Sequence, residues 1–119
     1  MGTSRFLKRQ SPAIVCAAVE PAGAEVLAGK VVAKARHKLQ GTGYGFVPPH
    51  WDAKLMDVSI AVSDEEADEW REKLARQEGL HVGYSAAANV CAAVRLLESG
   101  RVRENSRVAA VLCDTGLKY

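Results

Sequence analysis

The chain has 119 residues, 48% of them hydrophobic and 25% charged, ordinary values for one folded domain or part of one, and they argue against disorder. Sixteen Lys and Arg against fourteen Asp and Glu leave a net charge of +2, too small and too scattered for nucleic acid to be the expected partner. No stretch approaches the ~18 apolar residues of a membrane span, and Met1 to Gln10 carries no signal-peptide core. A soluble cytoplasmic protein is expected.

Ser4-Arg5-Phe6-Leu7-Lys8-Arg9 reads as the last turns of a helix that stops before Ser11-Pro12. Ala13-Ile14-Val15-Cys16-Ala17-Ala18-Val19 is a continuous apolar run, which predicts a strand buried on both faces of a parallel sheet and closed at Glu20-Pro21. Glu20 is read as a carboxylate that holds local backbone or a neighbouring basic residue. Residues Ala22 to Gly29 are compatible with a short helix. Lys30 to Lys38 then gathers five basic side chains, read as a solvated segment.

His37 to Pro49 is the most distinctive stretch. Gly41, Gly43 and Gly45 alternate with Thr42 and Tyr44 before Pro48-Pro49. Alternate glycines let backbone approach a flat or anionic partner, because no Cβ intervenes and positive φ costs little. The prolines fix the exit. A rigid loop facing a ligand is the functional reading; a tight structural turn is the other.

Asp57 to Val62 predicts a strand. Ser63-Asp64-Glu65-Glu66 follows as a helix start, with Ser63 as N-cap and Glu66 as its capping-box partner. That helix is expected to run to about Gln77, with Ala67, Trp70, Leu74 and the stem of Arg71 inward, Glu69 and Lys73 outward, and Gly79 as the stop. Leu80 to Tyr84 predicts a short strand, Ser85 an N-cap, and Ala86 to Leu97 a helix. Arg107 to Leu112 predicts a last buried strand that delivers Cys113-Asp114-Thr115-Gly116. The alternation implies an α/β fold in three layers: a mainly parallel sheet with flanking helices, joined by right-handed crossovers. Loops at the strand C-termini then converge on one cleft. Cys16, Cys91 and Cys113 lack metal-ligand spacing and are read as buried small hydrophobes, which suits a reducing compartment. No metal site is expected.

Val19-Glu20-Pro21-Ala22, the glycine loop, Val62-Ser63-Asp64-Glu65-Glu66-Ala67, Glu78-Gly79-Leu80-His81-Val82-Gly83-Tyr84-Ser85 and Val111-Leu112-Cys113-Asp114-Thr115-Gly116-Leu117-Lys118-Tyr119 occur in one order. In that order the chain resembles the C-terminal half of cysteine synthase and cystathionine β-synthase, fold-type-II pyridoxal-phosphate enzymes. The resemblance covers residues 1–119, a single partial domain whose N-terminal partner domain is absent.

The resemblance implies pyridoxal phosphate as cofactor and β-replacement on O-acetylserine or a related amino acid. It implies that the Thr115 hydroxyl hydrogen-bonds the pyridine nitrogen, that Gly41 lies close to the ring, and that Thr42, Gly43 and Tyr44 line the substrate pocket. Tyr44 stands where the family often has alanine, Cys113 where it often has proline, and Ser85-Ala86-Ala87-Ala88 replaces the commoner Ser-Ser-Gly-Ala. The Schiff-base lysine, the substrate-carboxylate loop and nearly all of the phosphate loop belong to the family's N-terminal part. Only Met1-Gly2-Thr3 stands in place of the last of these. Lys38 matches an ordinary residue, and His81 is read as non-catalytic. No catalytic residue is assigned to this chain, which is expected not to turn over substrate alone and to pair as a homodimer or with the missing half. The alternative is a truncated non-catalytic paralogue that folds with, or regulates, a complete subunit.

Overall fold

The structure is a computed structural model that describes residues 1–119. Helix α1 covers Gly2–Gln10, strand β1 Ala17–Pro21, strand β2 Val58–Val62, helix α2 Asp64–Glu78 and helix α3 Tyr84–Glu98. Short 3-10 turns occupy Ala53–Leu55 and Gly116–Lys118.

Strands β1 and β2 pair in parallel, in register from Ala17 opposite Val58 to Pro21 opposite Val62. The long excursion between them is what a parallel pair requires. Helix α3 lies against both strands and against α2. This is the expected α/β arrangement, a parallel sheet with helices packed on it.

Helix α2 begins as its sequence dictates. Ser63 Oγ accepts from Glu66 N–H at 3.2 Å, and the Glu66 carboxylate accepts from Ser63 N–H at 2.8 Å, so both bonds of the capping box form. Such a cap contributes about 1 kcal/mol. Gly79 ends the helix with φ at +68°. Ala67 and Leu74 are buried, Trp70 packs against both parts of the core, and Lys73 places its ammonium 4.4 Å from the Trp70 ring centre.

The core of α3 is built from very small side chains. Ala86, Ala87, Ala88, Cys91 and Ala92 are each no more than 3% exposed, and Leu39, Val62 and Ala67 close over the middle of them. Small residues let the helix axis approach sheet and neighbouring helix closely.

Several elements differ from the sequence reading. The β1 ladder is shorter and shifted, keeping Pro21 inside it, where the missing N–H is tolerated at the end of a two-stranded ladder. Residues 22–29 form turns instead of a helix. There the buried Glu20 carboxylate accepts from Leu27 N–H at 2.8 Å and Ala28 N–H at 3.1 Å, which fixes a loop and supports the structural reading of Glu20. Leu80 to Tyr84 makes only one bridge, antiparallel, from Val82 to Thr115.

The N-cap of α3 is Gly83, and Ser85 lies inside the first turn. Arg107 to Leu112 is neither buried nor in a ladder: all six residues are exposed, because no strand lies beside them. Cys113 at its end is likewise exposed, while Cys16 and Cys91 are buried as expected.

Candidate functional site

The N-terminal end of α3 is where the glycine loop and the tail meet. Helix N-termini leave backbone N–H groups without intrahelical partners, and α3 supplies no cap of its own, since Gly83 has no side chain. The carboxylate of Asp114 fills that role from 28 residues away, accepting from Ala86 N–H at 2.8 Å and Ser85 N–H at 3.3 Å. A negative charge there also meets the positive end of the helix dipole. On the same residue, Ser85 Oγ donates to the Gln40 carbonyl at 2.9 Å. Ser85 therefore ties the residue before Gly41 to the residue before Thr115.

Each expected site residue has a defined place around this junction. Gly41 is exposed with φ at +81°, and a Cβ built there would meet nothing within 4 Å. Thr42 Oγ1 donates to the Leu39 carbonyl at 2.6 Å, and Leu39, 1% exposed, anchors the loop in the core. Gly43 adopts φ of +59° and leaves no room for a side chain: a Cβ would stand 2.6 Å from His37 Nε2 and 2.7 Å from Pro21 Cγ. Tyr44 is 65% exposed and stacks on Phe46 with ring centres 5.9 Å apart.

Thr115 is exposed beyond its bridge to Val82. Its Oγ1 accepts from Leu117 N–H at 3.3 Å and donates its own hydrogen to no protein atom.

The surround is aromatic and basic. Tyr84 and Tyr119 meet edge to face at 5.0 Å, the Arg71 guanidinium lies 4.1 Å from the Tyr84 ring centre, and the Lys38 ammonium stands 5.1 Å from that centre. Tyr119 donates its hydroxyl hydrogen to Asp114 at 3.1 Å. Burial, then that bond to the carboxylate, push the Tyr119 phenol above its usual range. His81 packs beneath the tail, where a Cβ on Gly116 would be 2.5 Å from its Nε2.

The glycine loop is held from its other side by Asp64. This carboxylate accepts from Lys38 N–H at 2.7 Å and pairs with Lys34 Nζ at 3.1 Å. Burial works to raise its pKa, but these donors outweigh it and hold the group below the usual carboxylate range.

The sequence reading missed Asp114, Gln40 and Asp64 as organisers of the site. Local capping rules look no further than a few residues from a helix start. An Asp that caps a helix from the far end of the chain leaves no local signal.

An arrangement of this kind can present a hydroxyl donor, an open backbone loop and aromatic faces to a planar ligand with a ring acceptor. The free O–H of Thr115 has the chemistry to donate to a pyridine nitrogen, and nothing crowds the exposed Gly41, so these two residues suit the ring of pyridoxal phosphate, though not its phosphate.

Comparisons with known proteins point to the same cofactor. The family described as pyridoxal-phosphate dependent enzyme matches residues 1–114. Cysteine synthase A of Escherichia coli is 35% identical over 124 residues, covering 99% of this chain and 38% of that protein. The probable cysteine synthase of Bacillus subtilis is 38% identical over 118 residues, covering 99% and 37%. Among solved structures, the cysteine synthase of Entamoeba histolytica superposes with a TM-score of 0.91 at 26% identity, covering 99% of this chain and 34% of that one. The chain thus spans little more than a third of the length of its curated relatives. With residues 1–114 accounted for, the chain belongs to the pyridoxal-phosphate-dependent enzyme family, on the cysteine synthase side of it.

Proposed function

We propose that this chain is the C-terminal portion of a cysteine-synthase-like enzyme and forms one wall of its cofactor site. The complete enzyme would replace the β-substituent of O-acetylserine, or a related amino acid, with sulfide. The observation that carries this reading is the Ser85 junction, which joins Gln40 to Asp114 and so brings Gly41 and Thr115 to one end of α3.

In this reading Thr115 and Gly41 hold the ring, while Thr42, Gly43 and Tyr44 line the substrate side. Pyridoxal phosphate supplies an electron sink when bound. With the cofactor bound, Thr115 Oγ1 would donate a neutral hydrogen bond to the ring nitrogen, and a hydroxyl, unlike a carboxylate, would not keep that nitrogen protonated. That electronic setting suits β-elimination and replacement. Leu117 N–H holds Oγ1 in place from the other side. Tyr44, stacked on Phe46, narrows access to the substrate side.

The chain alone carries no assigned base for the α-proton and is expected to be inactive. Whether it carries half of the site is tested by titrating the labelled protein with pyridoxamine 5′-phosphate, whose amine forms no imine with lysines. Amide resonances of Gly41 and Thr115 should shift together, and Thr115→Ala should weaken the response while Thr115→Ser retains it. Shifts confined to surface lysines would overturn the assignment, and cysteine formation from O-acetylserine and sulfide by the chain alone would overturn the inactivity.

A further inference from the structure

Helix α2 carries a charged side chain on its buried stripe. Arg71 falls four residues after Ala67 and three before Leu74, both of them buried, so its place on the helix directs it inward. The side chain is only 18% exposed. A charge held there needs partners. Beyond Asp68 on its own helix, Arg71 finds them around Thr115.

Two separate links run from the guanidinium to the tail. Arg71 Nε donates to the Val82 carbonyl at 3.3 Å, and Val82 is the residue opposite Thr115 in the antiparallel bridge. Gly83 N–H on the Asp114 carbonyl and Gly116 N–H on the His81 carbonyl, each at 3.1 Å, close that bridge. The guanidinium carbon also lies 4.1 Å from the Tyr84 ring centre and 5.6 Å from that of Tyr119. Tyr119 in turn donates to Asp114 at 3.1 Å. One side chain of α2 therefore reaches the residue across from Thr115 and, through Tyr119, the residue before it. A planar guanidinium suits this place because it can lie against aromatic rings while an edge N–H donates; an ammonium cannot do both in one geometry.

We propose that Arg71 is a positioning residue for the ring-nitrogen donor: it fixes the backbone that aims Thr115 Oγ1 and does not itself touch the cofactor. The proposal rests on Thr115 being that donor. A hydrogen bond weakens steeply as its angle departs from linear, so a small shift of the tail is enough to lose it. Gly41 is held independently, since Ser85 Oγ binds the Gln40 carbonyl and Asp64 binds Lys38 N–H. Loss of Arg71 separates the two residues that flank the ring.

The test compares the 119-residue chain with two variants. Arg71→Met keeps the length and the apolar stem but neither donor nor charge; Arg71→Lys keeps the charge but not the planar fork. Without ligand, exchange at the Gly83 and Gly116 amides should rise about tenfold in Arg71→Met, while the amides of the β1–β2 ladder stay as protected as in the wild type. On titration with pyridoxamine 5′-phosphate, the Thr115 shift should shrink, the Gly41 shift persist, and affinity fall by up to about tenfold, as for one lost neutral hydrogen bond. Arg71→Lys should recover little of either. Wild-type exchange at Gly83 and Gly116 in Arg71→Met, equal loss of the Gly41 and Thr115 responses, or full recovery by Arg71→Lys would overturn the assignment. Failure of the cofactor reading looks different: the wild-type chain would then respond at neither residue while the exchange difference remained, which would overturn the positioning role and leave Arg71 a clamp of the tail.

Discussion

Asp114 caps helix α3 across 28 residues of sequence, its Oδ1 2.8 Å from the backbone nitrogen of Ala86. Its other oxygen takes bonds from Ser85 N–H and the Tyr119 hydroxyl. One carboxylate thus joins the tail that carries Thr115 to the start of α3, beside the backbone bonds from Gly83 N–H to the Asp114 carbonyl and from Gly116 N–H to the His81 carbonyl.

Asp114→Ala should therefore destabilise by about 1–3 kcal/mol, the range for a lost cap together with an unsatisfied buried donor. Urea denaturation gives the loss. Hydrogen exchange at Ser85 and Ala86 should rise with it. Unchanged protection at those two amides would show that the tail is held by something else.

Gly83 and Gly79 separate two reasons for glycine. A Cβ on Gly83 would lie 2.2 Å from Asp114 Oδ2 and 2.7 Å from the Tyr119 ring, at an ordinary φ of −85°; one on Gly79 meets nothing, but φ there is +68°. Gly83→Ala should displace the tail and cost about 1–3 kcal/mol. Gly79→Ala should cost about 1 kcal/mol through backbone strain alone, with the tail amides undisturbed. Equal exchange behaviour in the two variants would contradict this division.

Glu20 is 3% exposed and satisfies Leu27 and Ala28 N–H. Glu20→Ala should cost about 1–3 kcal/mol, because the half-buried Leu27 N–H and the exposed Ala28 N–H lose a charged acceptor that fixes the loop. Glu20→Gln retains one acceptor oxygen and should recover part of the loss. Limited proteolysis should show new cleavage within residues 22–45 in the alanine variant first.

Acid should loosen the same loop through Asp64. Its folded pKa is depressed by the Lys38 N–H and the Lys34 ammonium, against burial, from an ordinary value of 3.8. A depressed carboxylate stabilises the fold fully above its unfolded pKa, and this contribution is lost as pH falls through the folded value. Stability measured from pH 7 down to pH 2 should fall through that acid window, and Asp64→Asn should flatten the fall while lowering stability at pH 7. Asp57 belongs to the same class: the Cys16 N–H, then Lys8, hold it low. The Asp64 variant therefore removes one part of the acid response, not all of it.

The legible parts of the fold were those whose cause lies within a few residues. Ser63 and Glu66 announce the start of α2, Gly79 announces its end, and the order of five motifs identifies the family before any coordinate is seen. Gly41 and Thr115 were named from that order, and the structure carries both to one end of α3. What stayed hidden depends on partners distant in sequence. Ser85 read as a cap because Ser before an alanine-rich run usually is one, yet the cap is Asp114. Arg107 to Leu112 read as a buried strand because apolar periodicity reports what a segment can bury, not whether a neighbour exists to cover it.

The inward face of α3 has a consequence for how this protein can drift. Where the closest packing is made by methyl groups, there is almost nothing left to trim and no room to add, so change at Ala86, Ala87 and Ala88 is confined to the smallest side chains. A saturation library should show a one-sided profile there: glycine and serine survive, everything from valine upward is purged, and the helix acts as a ratchet against enlargement.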